Sequence, residues 1–183
     1  MKVFVSGGCK NGKSTFAEQF AKSQSQRGKL YYVATMVPFD EEDQQRILTH
    51  QRARRDMGFE TIEQPKNIAE LLTKCDPSGS FLVDSVTALL MNELYLPDYT
   101  IDVEALPRLQ KGLWTILDAL PNVVFVSDYI YGGGNVGYSP STLTFMQHLS
   151  ALDHLLVKRC ECVVEVAYTH RIIHKGAMPN EIS

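Results

Sequence analysis

The sequence predicts an α/β fold in which a mostly parallel central sheet is flanked by helices, and three observations carry that expectation. Short β-branched or aromatic runs recur at Val3–Ser6, Leu30–Ala34, Phe81–Asp84, Val123–Ser127 and Val163–Ala167. Helical patterns fill most of the gaps between them. The first run also passes directly into the glycine-rich segment Gly7–Ser14 and then into a helical pattern.

Taken in order, the helix after the first strand is expected from about Lys13 to Arg27, with Phe16, Ala17, Phe20 and Ala21 on one face and Gly28 as its C′ residue. Strand Leu30–Ala34 and the polar loop Thr35–Asp40 lead to a highly charged helix from about Glu41 to Met57, stopped by Gly58. Phe59–Glu63 has strand character, Ile68, Leu71 and Leu72 give a short helix, and Asp76-Pro77-Ser78-Gly79 reads as a turn. After strand Phe81–Asp84, Ala88–Leu94 is helical until Leu96-Pro97-Asp98 breaks it. An amphipathic helix near Val103–Leu120 precedes strand Val123–Ser127 and the glycine loop Gly132–Gly137. A helix from about Ser141 to Arg159, with Leu143, Met146, Leu149, Leu152, Leu155 and Leu156 along one side, leads to strand Val163–Ala167 and a partner at Arg171–Ile173.

A chain of 183 residues falls in the range of one domain, so residues 1–183 are expected to form a single unit. With 18 Lys and Arg against 21 Asp and Glu, and no basic block, nucleic acid is disfavoured as a main partner. The longest apolar runs are strand-length, so no membrane span is expected. The first strand begins at once, leaving no room for a signal peptide, and a cytoplasmic location is the expectation. The four cysteines, Cys9, Cys75, Cys160 and Cys162, show neither C-x-x-C nor zinc-finger spacing.

Gly7-Gly8-Cys9-Lys10-Asn11-Gly12-Lys13-Ser14 spells G-x-x-x-x-G-K-S between a strand and a helix, the context a phosphate-binding loop requires. Glycines let backbone N–H groups converge on phosphate oxygens, Lys13 reaches the β- and γ-phosphates, and the Ser14 hydroxyl can ligate Mg²⁺. The helix starting at Lys13 adds its positive N-terminal dipole. The fold expected is therefore P-loop NTPase-like, with GTP or ATP as substrate. Phe81-Leu82-Val83-Asp84 is an apolar strand ending in a carboxylate, which in such proteins holds the metal's water shell.

Asp43, Arg46, His50 and Arg54 recur at spacings of three or four, placing an imidazole between two guanidiniums on one helix face. Such neighbours keep an imidazole neutral, as a histidine nucleophile requires, and can hold a triphosphate. Gly132–Gly137 formally contains G-x-G-x-x-G, but a run this rich in glycine satisfies that pattern almost automatically, and it is read as a loop near the ligand rather than an NAD site.

Several segments together resemble the bifunctional adenosylcobinamide kinase / adenosylcobinamide-phosphate guanylyltransferase family of cobalamin biosynthesis. The resemblance rests on the G-G-x-x-x-G-K-S loop and on Tyr32-Val33-Ala34-Thr35. It continues through Asp40, Glu42, Arg46, Ile47, His50 and Arg54 in the D-x-E-x-x-x-R-I-x-x-H-x-x-x-R pattern, and through Thr61, Glu63 and Pro65 in T-x-E-x-P. Leu82-Val83-Asp84 with Thr87 and Asn92 completes it. It implies phosphorylation of the aminopropanol hydroxyl of adenosylcobinamide, then transfer of GMP from GTP to that phosphate through a guanylylated histidine, by position His50. Lys13, Arg46 and Arg54 would assist. Nucleotide contacts carried over are Gly7, Gly8, Cys9, Lys10, Asn11, Gly12, Lys13, Ser14 and Thr15 in the loop. Beyond it they are Ala34, Thr35, Met36, Gln51, Arg52, Ala53, Arg54, Glu63 and Asp84, with Ser14, Asp84 and Glu63 at the metal. A corrinoid partner and a homotrimer are implied likewise.

The second half departs from the family pattern. Ser127-Asp128-Tyr129-Ile130-Tyr131 stands where the family has S-N-E-V-G, and Ser150-Ala151-Leu152-Asp153-His154 replaces a D-x-x-G-x-x-N-Q stretch. From the residues alone two other readings stay open. One is a P-loop kinase of another small hydroxyl substrate, and the other a GTP-binding regulatory protein that has lost catalysis.

Overall fold

The computed structural model describes residues 1–25, 28–38, 54–132, 134, 136–168 and 170–178. Seven strands form one sheet in the order β3-β2-β4-β5-β1-β6-β7. They are β1 (Lys2–Gly7), β2 (Leu30–Ala34), β3 (Phe59–Glu63), β4 (Ser80–Asp84), β5 (Asn122–Asp128), β6 (Cys162–Ala167) and β7 (His170–Lys175). All pairings are parallel except β6 with β7, which run antiparallel. Every strand expected from the sequence is present.

The parallel strands are apolar on successive residues because helices cover both faces. Phe81, Val83, Val123 and Phe125 point to one face, where they pack on α3 (Val86–Leu94), α4 (Ala105–Ala119) and α5 (Pro140–Arg159). Leu82, Val124, Val126, Val3 and Val5 point to the other and meet Phe16, Ala17, Phe20 and Ala21 of α1 (Lys13–Gln24). A 3₁₀ turn at Ile68–Glu70 continues into the short α2 (Leu71–Lys74).

The end of α1 differs from expectation. Helix α1 ends at Gln24 with Ser25 as its cap, and Ser25 Oγ donates to the Gly28 carbonyl. A local side-chain hydrogen bond thus closes the helix earlier than a glycine at C′ would, and Gly28 is not among the glycines with positive φ. Gly58 does adopt φ 91° after the helical residues 54–56, as a C′ glycine should. On α5 the buried set is Phe145, Met146, Leu149, Leu152, Asp153 and Leu156. The apolar stripe read from the sequence thus includes a buried carboxyl that hydropathy does not flag. Cys160 and Cys162 are both buried, and burial pushes the Cys160 thiol up to about 12. No helix among the described residues is long and apolar enough to cross a membrane.

Candidate active site

The carboxyl ends of the parallel strands converge at one edge of the sheet, where an open α/β sheet presents its ligands. Strand β1 delivers the phosphate loop there, and the loop is docked on its neighbours. The Asn11 amide donates to the Val166 carbonyl at the end of β6, and a Cβ on Gly7 would collide with that same oxygen. Only glycine allows the loop to lie this close. Gly12 caps α1 with φ 90°, no side chain caps the helix, and its first turn holds no acidic residue. The N–H groups of that turn and its dipole are therefore left to an anion. Lys13 is 8% exposed, its ammonium donating to the Gly8 carbonyl at 3.2 Å and pairing with Asp128 Oδ1 at 2.6 Å.

The sheet order places β5 between the loop strand β1 and β4, which ends in Asp84. Two carboxylates therefore face the loop from different depths. Asp128 is one strand away, paired in register with Gly7, and Asp84 is two strands away, roughly 10 Å. Asp84 Oδ2 accepts from the Tyr32 hydroxyl at 2.8 Å. The Arg54 guanidinium stacks 3.5 Å over the Tyr32 ring and is 6% exposed, its Nε buried without a partner among the described residues. Burial, reinforced by the Asp84 charge, raises the pKa of the Tyr32 hydroxyl. Burial likewise raises that of Glu18, which Arg54 opposes and Asp84 assists, so all four groups share one cluster. Glu18 lies four residues after Ser14 and hence on the same helix face.

Thr35, expected to contact nucleotide, is fully buried and all its polar groups are engaged. Its N–H donates to the Asp84 carbonyl, and its hydroxyl accepts from Ser85 N–H at 2.7 Å while lying 2.8 Å from Ser85 O. Its carbonyl accepts from the Asn92 amide, which also reaches Pro65 O. Thr87 Oγ1 accepts from Asp128 N–H at 2.8 Å. Thr35, Ser85, Thr87 and Asn92 thus lock the ends of β2, β4 and β5 together. Ala34 lies between Glu63 and Asp84 in register, and Met36 is exposed just beyond. Within the loop Gly8, Cys9, Lys10 and Thr15 are exposed, and Ser14 is half-buried. Arg46, His50, Gln51, Arg52 and Ala53 lie outside the described residues.

Behind the end of β5 sits Asp153, 2% exposed, accepting from the Tyr131 hydroxyl at 2.9 Å, with its Oδ1 and the Ser127 Oγ both buried and without a hydrogen-bond partner among the described residues. Burial pushes the Asp153 carboxyl up to about 7, with the nearby Ser127 and Tyr131 hydroxyls pulling the other way. Sequence reasoning placed no role on Asp128, Asp153 or Glu18. The signal for Asp128 was an apolar strand ending in a carboxylate, the same pattern that singled out Asp84.

A phosphate loop, an uncapped helix start and a carboxylate two strands away define a P-loop nucleotide-binding protein. Solved structures share the fold: a KaiC-like protein from Pyrococcus horikoshii OT3 superposes with a TM-score of 0.54 at 13% identity, covering 97% of this chain and 83% of that one. A second protein from the same organism gives 0.50 at 12% identity, over 100% and 89%. Residues 3–171 match the family described as "Cobinamide kinase / cobinamide phosphate guanyltransferase", and the chain belongs to that family. It is 30% identical over 164 residues, 89% of this chain and 91% of the relative, to the bifunctional adenosylcobalamin biosynthesis protein CobP of Pseudomonas aeruginosa. To the Escherichia coli K12 protein of the same description, CobU, it is 32% identical over 96 residues, 52% of this chain and 51% of the relative.

Proposed function

We propose that this chain phosphorylates adenosylcobinamide with ATP or GTP and then transfers GMP from GTP to the resulting phosphate through a guanylylated His50. The observation that carries the nucleotide half is the loop itself: an uncapped helix start and a buried Lys13 brought to one point by glycines. Family membership supplies the corrinoid half. In the first reaction the loop amides and Lys13 hold the triphosphate and stabilise charge as it spreads over the transferring group.

The donor set fits Mg²⁺, because the Ser14 hydroxyl and an Asp84 carboxylate oriented by Tyr32 are hard oxygen ligands that leave room for phosphate oxygens and water. The ion would neutralise phosphate charge when bound. Glu63, on the edge strand β3, lies two strands beyond Asp84, roughly 10 Å further from the loop. We therefore assign the ion to Ser14 and Asp84 and leave Glu63 to the nucleoside end. Arg54, with its unpartnered Nε, suits the departing pyrophosphate of the guanylylation step. Attack of the His50 imidazole on the α-phosphorus of GTP would expel pyrophosphate, and attack of adenosylcobinamide phosphate on the adduct would restore the free histidine. We further propose a single-domain, cytoplasmic homotrimer, which sedimentation of the purified chain would test by giving three times the chain mass.

Incubation with Mg²⁺ and GTP labelled at the α-phosphate, followed by denaturation, tests the reading. Acid-labile, alkali-stable label on the wild type and none on His50→Ala is expected. Label retained by His50→Ala would remove that histidine from the mechanism.

A further inference from the structure

The closest charged partner of Lys13 is neither the loop nor Asp84 but Asp128, at 2.6 Å. Backbone pairing on both sides sets the placement. Asp128 pairs in register with Gly7, its N–H donates to Thr87 Oγ1, and the next residue's N–H donates to the Gly7 carbonyl at 3.0 Å. Its side chain remains 27% exposed, so a substrate can reach it.

A phosphate-loop lysine grips the β- and γ-phosphates at about 2.8 Å. A carboxylate oxygen 2.6 Å from that ammonium therefore stands roughly 5 Å from the phosphoryl group to be transferred. That gap matches one hydroxyl, hydrogen-bonded to the carboxylate at about 2.7 Å and about 3.2 Å from phosphorus. Asp84 is less suited, being one strand further from the loop with one oxygen already committed to Tyr32. Past Asp128 the chain exposes Tyr129 and Ile130, an apolar shelf against which a bulky acceptor can lie.

We infer that Asp128 is the proton acceptor for the hydroxyl that is phosphorylated, a catalytic residue of the kinase step; this rests on the kinase reading above. When nucleotide binds, Lys13 donates to the phosphates from beside Asp128, and the second carboxylate oxygen takes the acceptor hydroxyl. A lone pair of the acceptor oxygen then bonds to the γ-phosphorus, and the bond from that phosphorus to the bridging oxygen breaks. Its electron pair leaves on the nucleoside diphosphate, and the hydroxyl proton passes to an Asp128 oxygen. A positioned aspartate serves substrate hydroxyls in this way in other phosphoryl transfers.

The test is steady-state phosphorylation of cobinamide by the wild type and Asp128→Asn, with nucleotide affinity measured in parallel by calorimetry. Asn keeps shape and hydrogen bonding but cannot take a proton. The expected result is a 10²–10⁴-fold loss in kcat, with nucleotide Kd unchanged or lower because Lys13 has lost a competing partner. Asp128→Ala should lose as much. Wild-type activity with undiminished or raised kcat in Asp128→Asn would overturn this assignment alone, leaving the carboxylate as a resting place for Lys13. No cobinamide phosphorylation by the wild type would overturn the kinase reading and this assignment with it.

Discussion

The loop corner, where β1 turns into α1, and the β5 corner, where Ser127–Tyr131 meets α5, meet the same ligand edge by opposite means. The loop corner works through backbone: glycines, free N–H groups and a helix dipole, all encoded within eight consecutive residues. The β5 corner works through side chains that the fold collects from distant segments, with Thr87 holding Asp128 in place and Asp153 of α5 holding Tyr131. Its polar groups are half-satisfied, since Ser127 Oγ and Asp153 Oδ1 lie buried without partners among the described residues, whereas the strand-end lock around Thr35 is fully paired. A backbone site depends on close approach, and a side-chain site depends on protonation and packing.

Substitutions should separate the two. Lys13→Ala removes the one side-chain charge on which the loop corner relies, and kcat/KM for nucleotide consumption should fall about 10³-fold. Gly7→Ala attacks the backbone instead. Its Cβ would strike the Val166 carbonyl, so β1 and β6 must separate locally, costing roughly 2–4 kcal/mol in urea unfolding.

At the β5 corner the signature is pH. The Asp153 carboxyl titrates near 7 in the folded chain, well above its ordinary value of 3.8, so the folded state holds a proton the unfolded state has released. Its stabilising contribution is full below about pH 4 and is lost as pH rises through 7. Asp153→Asn should flatten that dependence and raise stability at pH 8 by roughly 2 kcal/mol, as thermal melts across pH would show. Tyr32→Phe deletes the hydroxyl that orients Asp84 and should weaken Mg²⁺-dependent nucleotide binding several-fold, about 1 kcal/mol by titration calorimetry. Lys74→Ala removes an exposed pair with Glu70 together with the 2.7 Å hydrogen bond from its ammonium to Oε1 of the buried Gln64, and should lower stability by about 0.5–1 kcal/mol in thermal melts.

What was legible in the sequence follows the same division. The seven strands, the loop and Asp84 were readable because periodicity and a short motif are local properties. Thr35 marks the limit of local reading, because a polar residue at a strand end reads alike whether it meets ligand or, as its bonds to Ser85 and Asn92 show, neighbouring segments. Asp128 carried the same signal as Asp84, a carboxylate ending an apolar strand, and Asp153 was visible only within a departure from the family pattern.

The sequence by itself determined that this chain is a parallel α/β protein with a phosphate loop at its first strand, because residues adjacent in the chain suffice to shape that turn and to alternate strand with helix. Only the tertiary structure decided that β5 lies between the loop and the Asp84 strand, since strand order depends on how helices cover both sheet faces. That order sets Asp128 against Lys13 and moves Glu63 away from the loop. It also buries Asp153 behind them both, where the low-polarity interior is the largest influence on its charge.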